Sequence, residues 1–155
     1  MSSETYIRVS DTHIAAETMT VSEMVKLAGQ TIALEDRVPN VQGNAFDLKD
    51  WYRSWKSVRN QESAEPTHVK VEAVDEFQAL MPWAELDKAL FLYAQAGEPL
   101  KKGYPIRLYV PDGSSECLNV KSIVSIWFLH DPSLSAEATY GFKNKVTVDE
   151  LKIRK

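Results

Sequence analysis

Two basic residues, Arg107 and Lys121, lie on either side of a predicted turn and could together hold an anion. Arg107 falls within an alternating apolar run at 106–110, which predicts a strand with one face towards a core. Residues 112–113 are Asp and Gly, which favour a turn, and a second apolar run follows at 120–126. If the two runs pair as neighbouring strands, both cations reach one edge of the sheet. An Arg fork and a Lys point charge placed there suit a phosphate or a carboxylate.

The residues around these cations form a recognisable pattern. The segment from Gly103 to Pro111 reads Gly-x-Pro-x-Arg-Leu-x-Val-Pro, and a Val-Lys pair follows at 120–121. The earlier segment 97–100 reads Gly-Glu-Pro-Leu. Together these segments resemble the molybdopterin-binding domain of the sulfite oxidase family. The sequence departs from the family pattern directly after the Lys, where Ser122 stands in place of a Trp.

The resemblance implies that three cations hold the phosphate of molybdopterin. Arg107 and Lys121 match the family's Arg and Lys, and Lys102 stands where a typical member has a His. We therefore expect the chain to bind molybdopterin, or another phosphorylated small molecule or anion, through these three residues. The alternative is that Arg107 and Lys121 are ordinary outward-facing strand residues.

The resemblance also implies a molybdenum-ligating Cys between residues 30 and 43, and no Cys lies there. Glu, Asp and Arg occupy 35–37, and a hard carboxylate is a poor substitute for a soft thiolate on molybdenum. The single Cys117 excludes a disulfide within the chain and is interpreted as a small apolar residue in or near a strand. Its use as a ligand would require a rearranged site. We expect a catalytically degenerate relative that lacks the metal-ligating thiolate.

Two other functions stay open. The first is a working molybdenum oxidoreductase that transfers an oxygen atom, with the metal held through the pterin dithiolene and a ligand other than Cys. The second is a protein-interaction module that uses exposed Trp residues, which predicts a sizeable apolar patch on the surface. Metal content distinguishes the first alternative from a degenerate domain. The sequence identifies neither a redox partner nor a protein partner.

No set of residues has the spacing of a catalytic or metal site. His13, His68 and His130 are scattered along the chain and are expected at the surface. The adjacent carboxylates at 35–36 and 75–76 would point to opposite faces of a strand, so they do not form a dyad that shares a proton. We assign no catalytic residue and no metal ligand from the sequence.

Two helices are expected. Thr20 and Glu23 have the spacing of a capping box, and the helix that follows at 21–28 ends at Gly29. The segment 43–58 predicts a second, stronger helix with an apolar stripe that packs into the core. The stripe consists of Leu48, Trp51, Tyr52, Trp55 and Val58.

The other apolar runs predict strands. A weak strand at 6–9 precedes a polar connection, a hairpin joins 68–73 to 77–81, and a further strand covers 89–94. A last strand is expected at 146–148. This order of elements predicts an α+β fold with mixed, mostly antiparallel β-sheets and two main helices. The resemblance adds a sulfite-oxidase-type arrangement with a β-grasp-like element.

Length and composition limit the function classes. A chain of 155 residues, 44% of them hydrophobic, suits a single domain over 1–155. The net charge of -4 argues against a nucleic-acid binder, which would need a basic face. No signal peptide and no apolar run long enough to span a bilayer is present in the sequence. We expect a cytoplasmic protein that does not bind membranes.

Overall fold

The computed structural model describes residues 5–59 and 64–143. These residues form two helices and mixed, mostly antiparallel sheets, which confirms the predicted α+β fold. The helices are α1 (Val21–Ala28) and α2 (Leu48–Val58). The strands are β1 (Ile7–Asp11), β2 (Ile14–Met19), β3 (Ile32–Ala33), β4 (Asn44–Asp47), β5 (His68–Ala73), β6 (Phe77–Pro82), β7 (Leu90–Gln95), β8 (Glu98–Pro99), β9 (Arg107–Tyr109), β10 (Ile123–Leu129) and β11 (Thr139–Phe142). Neither described helix combines the length and the apolar character needed to cross a membrane.

The strands are divided between two sheets. The larger sheet has six strands in the order β11-β6-β5-β10-β1-β2. In it β1 and β10 run parallel, with Asp11 opposite Phe128, whereas the other described pairs are antiparallel. The smaller sheet has five strands, with the order β3-β4-β7-β8 and with β9 also paired to β7. Because β1 and β10 run parallel, their C-terminal ends meet at one edge of the larger sheet.

Helix α1 begins and ends where the sequence predicts. The hydroxyl of Thr20 accepts a bond of 3.1 Å from the backbone N–H of Glu23, and the Glu23 carboxylate accepts one of 2.9 Å from the backbone N–H of Thr20. Gly29 ends the helix with a φ of +70°, a conformation that glycine adopts without strain. The predicted capping box and stop are confirmed.

Helix α2 begins five residues later than predicted, at Leu48 instead of Gly43. Residues 44–47 pair with β7 as strand β4, so the backbone is extended there, and the carboxylate of Asp47 then caps the helix by accepting from the N–H of Asp50. The prediction of helix at 43–47 was wrong because local periodicity does not include this pairing with a distant strand. The prediction that Val58 packs into the core was also wrong, since this residue is 65% exposed.

The aromatic face of α2 packs against the larger sheet. The other four members of the predicted stripe are fully buried. The ring of Tyr52 lies 4.4 Å from that of Phe128 on β10, and the Trp55 ring lies 6.0 Å from it. The indole N–H of Trp51 donates to the carbonyl of Met24, which ties α2 to α1. These four residues belong to the core, as predicted.

The predicted hairpin is present as β5 and β6. Glu76, in its turn, has a φ of +72°, a region that L-residues rarely adopt. The predicted strands at 6–9 and 89–94 correspond to β1 and β7.

Two short strands at the edges of the larger sheet were not predicted. They are β2, which lies in the segment predicted as a polar connection, and β11, which lies in the C-terminal region. Both expose most of their side chains, so their sequences show little apolar alternation. The strand predicted at 146–148 lies outside the described residues.

Candidate functional site

Strand β9 places Arg107 between two buried neighbours. Ile106 and Leu108 are fully buried, and β9 pairs with β7 so that Arg107 lies opposite Leu92. The alternation predicted for 106–110 is therefore present, although Tyr109 is also largely buried. Arg107 itself is half-buried.

The predicted pairing of this strand with the next apolar run was wrong. Strand β9 belongs to the smaller sheet, and β10 belongs to the larger one. Ser122 has a φ of +55°, and this turn separates Val120, which stays beside β9, from β10. The two segments nevertheless remain in contact through two backbone bonds. The N–H of Leu108 donates to the carbonyl of Val120 at 2.8 Å, and that of Ile123 donates to Ile106 at 3.0 Å.

A third backbone bond brings the loops of the two predicted Lys residues together. The N–H of Ser122 donates to the carbonyl of Gly103 at 3.2 Å. Gly103 directly follows Lys102, and Ser122 directly follows Lys121, so both lysines are anchored to one bonded pair of residues. Both lysine side chains are exposed. The structure thus brings the backbone of Lys102 close to that of Lys121. This bond between a loop and a turn does so, and not the predicted pair of strands.

The side chain of Arg107 packs over Gly103. A Cβ atom added to Gly103 would lie 2.3 Å from both Cγ and Cδ of Arg107, which is far inside van der Waals contact. Gly103 also has a φ of +88°. Glycine is required here for both reasons, and the close approach sets the direction of the Arg107 side chain. This contact joins the third predicted cation to the same loop.

The guanidinium of Arg107 carries an unused donor. Its Nε atom is buried and has no hydrogen-bond partner among the described residues. Its Cζ atom lies 5.1 Å from the ring of Tyr109, which stacks beneath the positive charge. No ion pair with a described residue involves Arg107, Lys102 or Lys121. Burying an N–H group without a hydrogen-bond acceptor costs free energy. An anionic oxygen of a ligand would supply that acceptor.

Two pockets adjoin this loop. A pocket of about 740 Å³ is bounded by Tyr104 and Pro105, which lie between Gly103 and Arg107, and by apolar residues of α1. A smaller pocket of about 240 Å³ contains Lys121 and Cys117. Lys102 and Arg107 line neither pocket. Of the three cations, Lys121 alone lines one of these two pockets.

The segment expected to supply a metal thiolate is occupied by a structural ion pair. Arg37 Nη1 lies 2.5 Å from Asp47 Oδ1, and it also donates to the carbonyl of Lys88. Glu35 and Asp36 are exposed on a short 3-10 turn. These contacts link the segment to the start of α2 and leave no soft ligand there. Across the described residues, no group of three or more His, Cys, Asp or Glu side chains could hold a metal ion.

Cys117, interpreted from the sequence as a small apolar residue in or near a strand, lies outside the described strands. It is exposed on a 3-10 turn, Glu116–Leu118, and its backbone N–H donates to the hydroxyl of Ser115. It shares the smaller pocket with Lys121.

The expectation of surface histidines holds for His13 alone. His68 is buried, with its ring nitrogens 2.8 Å from the hydroxyl of Thr67 and 2.8 Å from the carbonyl of Ser135. The His130 ring is only 12% exposed, and its Nε2 lies 2.9 Å from the carboxylate of Asp11. Sequence reasoning missed this Asp–His pair because its members are 119 positions apart and no local pattern relates them.

The four Trp residues are not exposed. Trp51 and Trp55 are fully buried, and Trp83 and Trp127 are half-buried. The interaction module that relied on exposed Trp residues therefore loses its structural basis.

Comparison with known proteins agrees with the sequence resemblance. The family model described as the oxidoreductase molybdopterin binding domain matches residues 38–137, which is well over half of the 155 residues. This span includes α2 and all three predicted cations. No curated protein matches the chain in a sequence search. The chain belongs to the oxidoreductase molybdopterin-binding domain family, the domain type of the sulfite oxidases.

Proposed function

We propose that this domain binds molybdopterin, or a phosphorylated ligand of similar charge, and that Lys102, Arg107 and Lys121 hold its phosphate. The buried Nε of Arg107, which has no partner, is the observation that carries this proposal. The bond between Ser122 and Gly103 supports it, because it joins the loop that carries Lys102 to the turn that carries Lys121. A rigid Arg donor flanked by two mobile ammonium groups is a common arrangement for a phosphate.

The residues present fit a phosphate better than they fit a molybdenum centre. Gly103 lets the backbone approach Arg107 closely, and the orphaned donor needs an anionic acceptor. In contrast, the 30–43 segment offers only hard carboxylates and an Arg already paired with Asp47. When bound, the cofactor would supply a dithiolene for a metal. This chain would supply the residues that bind the phosphate but no protein thiolate for the metal. We therefore propose a cofactor-binding role without oxygen-atom transfer.

The Arg107 Nε–H group can be observed directly by NMR. Inorganic pyrophosphate should shift the Arg107 Nε–H signal, whereas sodium chloride at equal ionic strength should not. Lys102→Ala and Lys121→Ala should each weaken pyrophosphate binding by about tenfold, the size of one charge-assisted hydrogen bond. Arg8→Ala is the matched control, because Arg8 is an exposed cation on β1 in the other sheet.

Equal affinity for pyrophosphate in Arg107→Ala and Arg8→Ala would refute the proposed anion site. Arg107→Lys separates charge from geometry, since it keeps the charge and removes Nε. If this variant binds as weakly as Arg107→Ala, the orphaned donor is the determinant.

A further inference from the structure

The C-terminal ends of β1 and β10 bring three titratable side chains together. Asp11 ends β1, His130 follows β10, and the two strands are parallel neighbours. Parallel strands present their C-terminal ends at the same edge of a sheet. His13 lies in the turn directly after β1. The backbone N–H of His130 also donates to the hydroxyl of Thr12 at 3.0 Å, which fixes this edge.

The Asp11 side chain is fully buried and its carboxylate is hydrogen-bonded on both oxygens. Tyr52 donates its hydroxyl to Oδ2 at 2.6 Å, and the backbone N–H of His13 donates to Oδ1 at 2.7 Å. Nε2 of His130 lies 2.9 Å from Oδ2. Because a carboxylate oxygen accepts hydrogen bonds, Nε2 of His130 is assigned as the donor of this bond, and the Tyr52 hydroxyl also lies 3.4 Å from Nε2.

This bond determines which nitrogen of His130 is free. In a neutral imidazole with hydrogen on Nε2, Nδ1 carries a lone pair. Nδ1 makes no hydrogen bond to a described residue, and it is not among the buried atoms without a partner. Within the described part of the chain it is therefore not fully buried. A carboxylate behind one ring nitrogen is the usual outer-sphere partner of a metal-binding histidine.

The ring of His13 stands next to that of His130. Their centroids are 4.8 Å apart with an angle of 52° between the ring planes. His13 is exposed, and neither of its ring nitrogens bonds to a described residue. With metal–nitrogen bonds of about 2 Å, two imidazoles on one cation have centroids roughly 4.5–5 Å apart. The observed separation already suits a shared cation.

We propose that His13 and His130 bind a divalent transition metal of the Zn²⁺ class, with Asp11 orienting His130. Imidazole nitrogen favours such cations over Mg²⁺. Water completes the coordination, since the described residues hold no group of three protein ligands. The site lies about 20 Å from the loop of Lys121, given the seven residues of β10 between them and the rise of a strand. It is therefore independent of the proposed phosphate site.

Zn²⁺ titration of the full-length chain by calorimetry tests the proposal, with Cys117→Ser as the parent so that the thiol cannot contribute. The parent should bind one Zn²⁺ and should not bind Mg²⁺. His13→Ala should weaken Zn²⁺ binding at least about tenfold, and Asp11→Asn by about 10- to 100-fold. His68→Gln removes the third histidine, which is buried elsewhere, and should leave the affinity unchanged.

A second measurement needs no substitution in the cluster. In the parent chain, Zn²⁺ should shift the imidazole nitrogen signals of His13 and His130 and leave those of His68 in place. Zn²⁺ affinity in His13→Ala equal to that of the parent would overturn the proposal. So would shifts of the His68 signals alone.

Discussion

The carbonyl of Gly103 accepts a 3.2 Å hydrogen bond from the backbone N–H of Ser122. This one bond connects the loop that follows β8 to the turn that precedes β10, and thereby connects the two sheets. Lys102 and Lys121 each precede one member of the pair, and Arg107 packs over Gly103. The phosphate site that we propose depends on this junction.

Gly103→Ala should disrupt the site more than the fold. The added Cβ would collide with Cγ and Cδ of Arg107, so that side chain must move. The positive φ adds a cost of about 1–3 kcal/mol to the free energy of folding. The affinity for pyrophosphate is measured by calorimetry and the stability by urea unfolding. The affinity should fall by more than the loss of stability accounts for.

Gly29→Ala is the control for that variant. Gly29 has a similar φ of +70° but open space around the position of a Cβ. It should show the same kind of backbone strain with unchanged pyrophosphate affinity. Equal loss of affinity in both variants would show that the Gly103 contact is not what positions Arg107.

Trp51→Ala should destabilise the protein by about 3–5 kcal/mol, because it removes a fully buried indole from the core. It also leaves the carbonyl of Met24 without its 2.9 Å donor. Urea unfolding monitored by circular dichroism measures the change. Val58→Ala, on the exposed side of the same helix, should alter stability by less than about 0.5 kcal/mol. A large loss in Val58→Ala would contradict the observed orientation of α2.

Thr20→Ala should cost about 1 kcal/mol, the usual value of a helix N-cap. It removes the hydroxyl that accepts from the N–H of Glu23. Thermal unfolding compared with Ser22→Ala, an exposed residue in the same turn, isolates the cap from general effects of alanine. Equal melting temperatures for the two variants would mean that the capping box contributes nothing.

Glu65 should make a small contribution to stability that depends on pH. The hydrogen bond from Arg53 is the main cause that lowers the pKa of Glu65, with burial acting in the opposite direction. The ionised form is thus favoured in the folded state. The contribution is complete above the ordinary pKa of about 4.3 and disappears as the pH falls through the lower folded value.

Both side chains of this pair are more than a third exposed, so the effect should stay below about 1 kcal/mol. The difference in unfolding free energy between the unaltered chain and Glu65→Gln should be largest at neutral pH and shrink in acid. Glu98→Gln, at an exposed position on β8, serves as the reference. A difference that grows in acid would reverse the assigned sign.

Local signals in the sequence were sufficient for some elements. The capping box of Thr20 and Glu23 and the β5–β6 hairpin depend on contacts between residues close in sequence, and both were predicted. Pairing between distant segments determined the rest. Strand β4 is extended because it pairs with β7, although its sequence continues the helical pattern of α2.

The candidate site shows the same division. The sequence identified Lys102, Arg107 and Lys121 as residues to test together, and the structure brings their loops into contact. The assumed strand pairing was wrong, because the positive φ of Ser122 was not evident from a serine. Asp11 and His130 meet because β1 and β10, which are far apart in the sequence, pair in parallel. No local pattern therefore indicated their contact.

The most direct test of the central claim is the pterin and molybdenum content of the protein purified from a host that makes the cofactor. Released pterin is measured by fluorescence and molybdenum by elemental analysis, for the unaltered chain, Arg107→Ala and Arg8→Ala. We expect pterin without stoichiometric molybdenum in the unaltered chain and in Arg8→Ala, and a loss of pterin in Arg107→Ala. Stoichiometric molybdenum would contradict a degenerate site and favour a working oxidoreductase. Equal pterin content in all three proteins would contradict the proposal that Arg107 binds the phosphate of the cofactor.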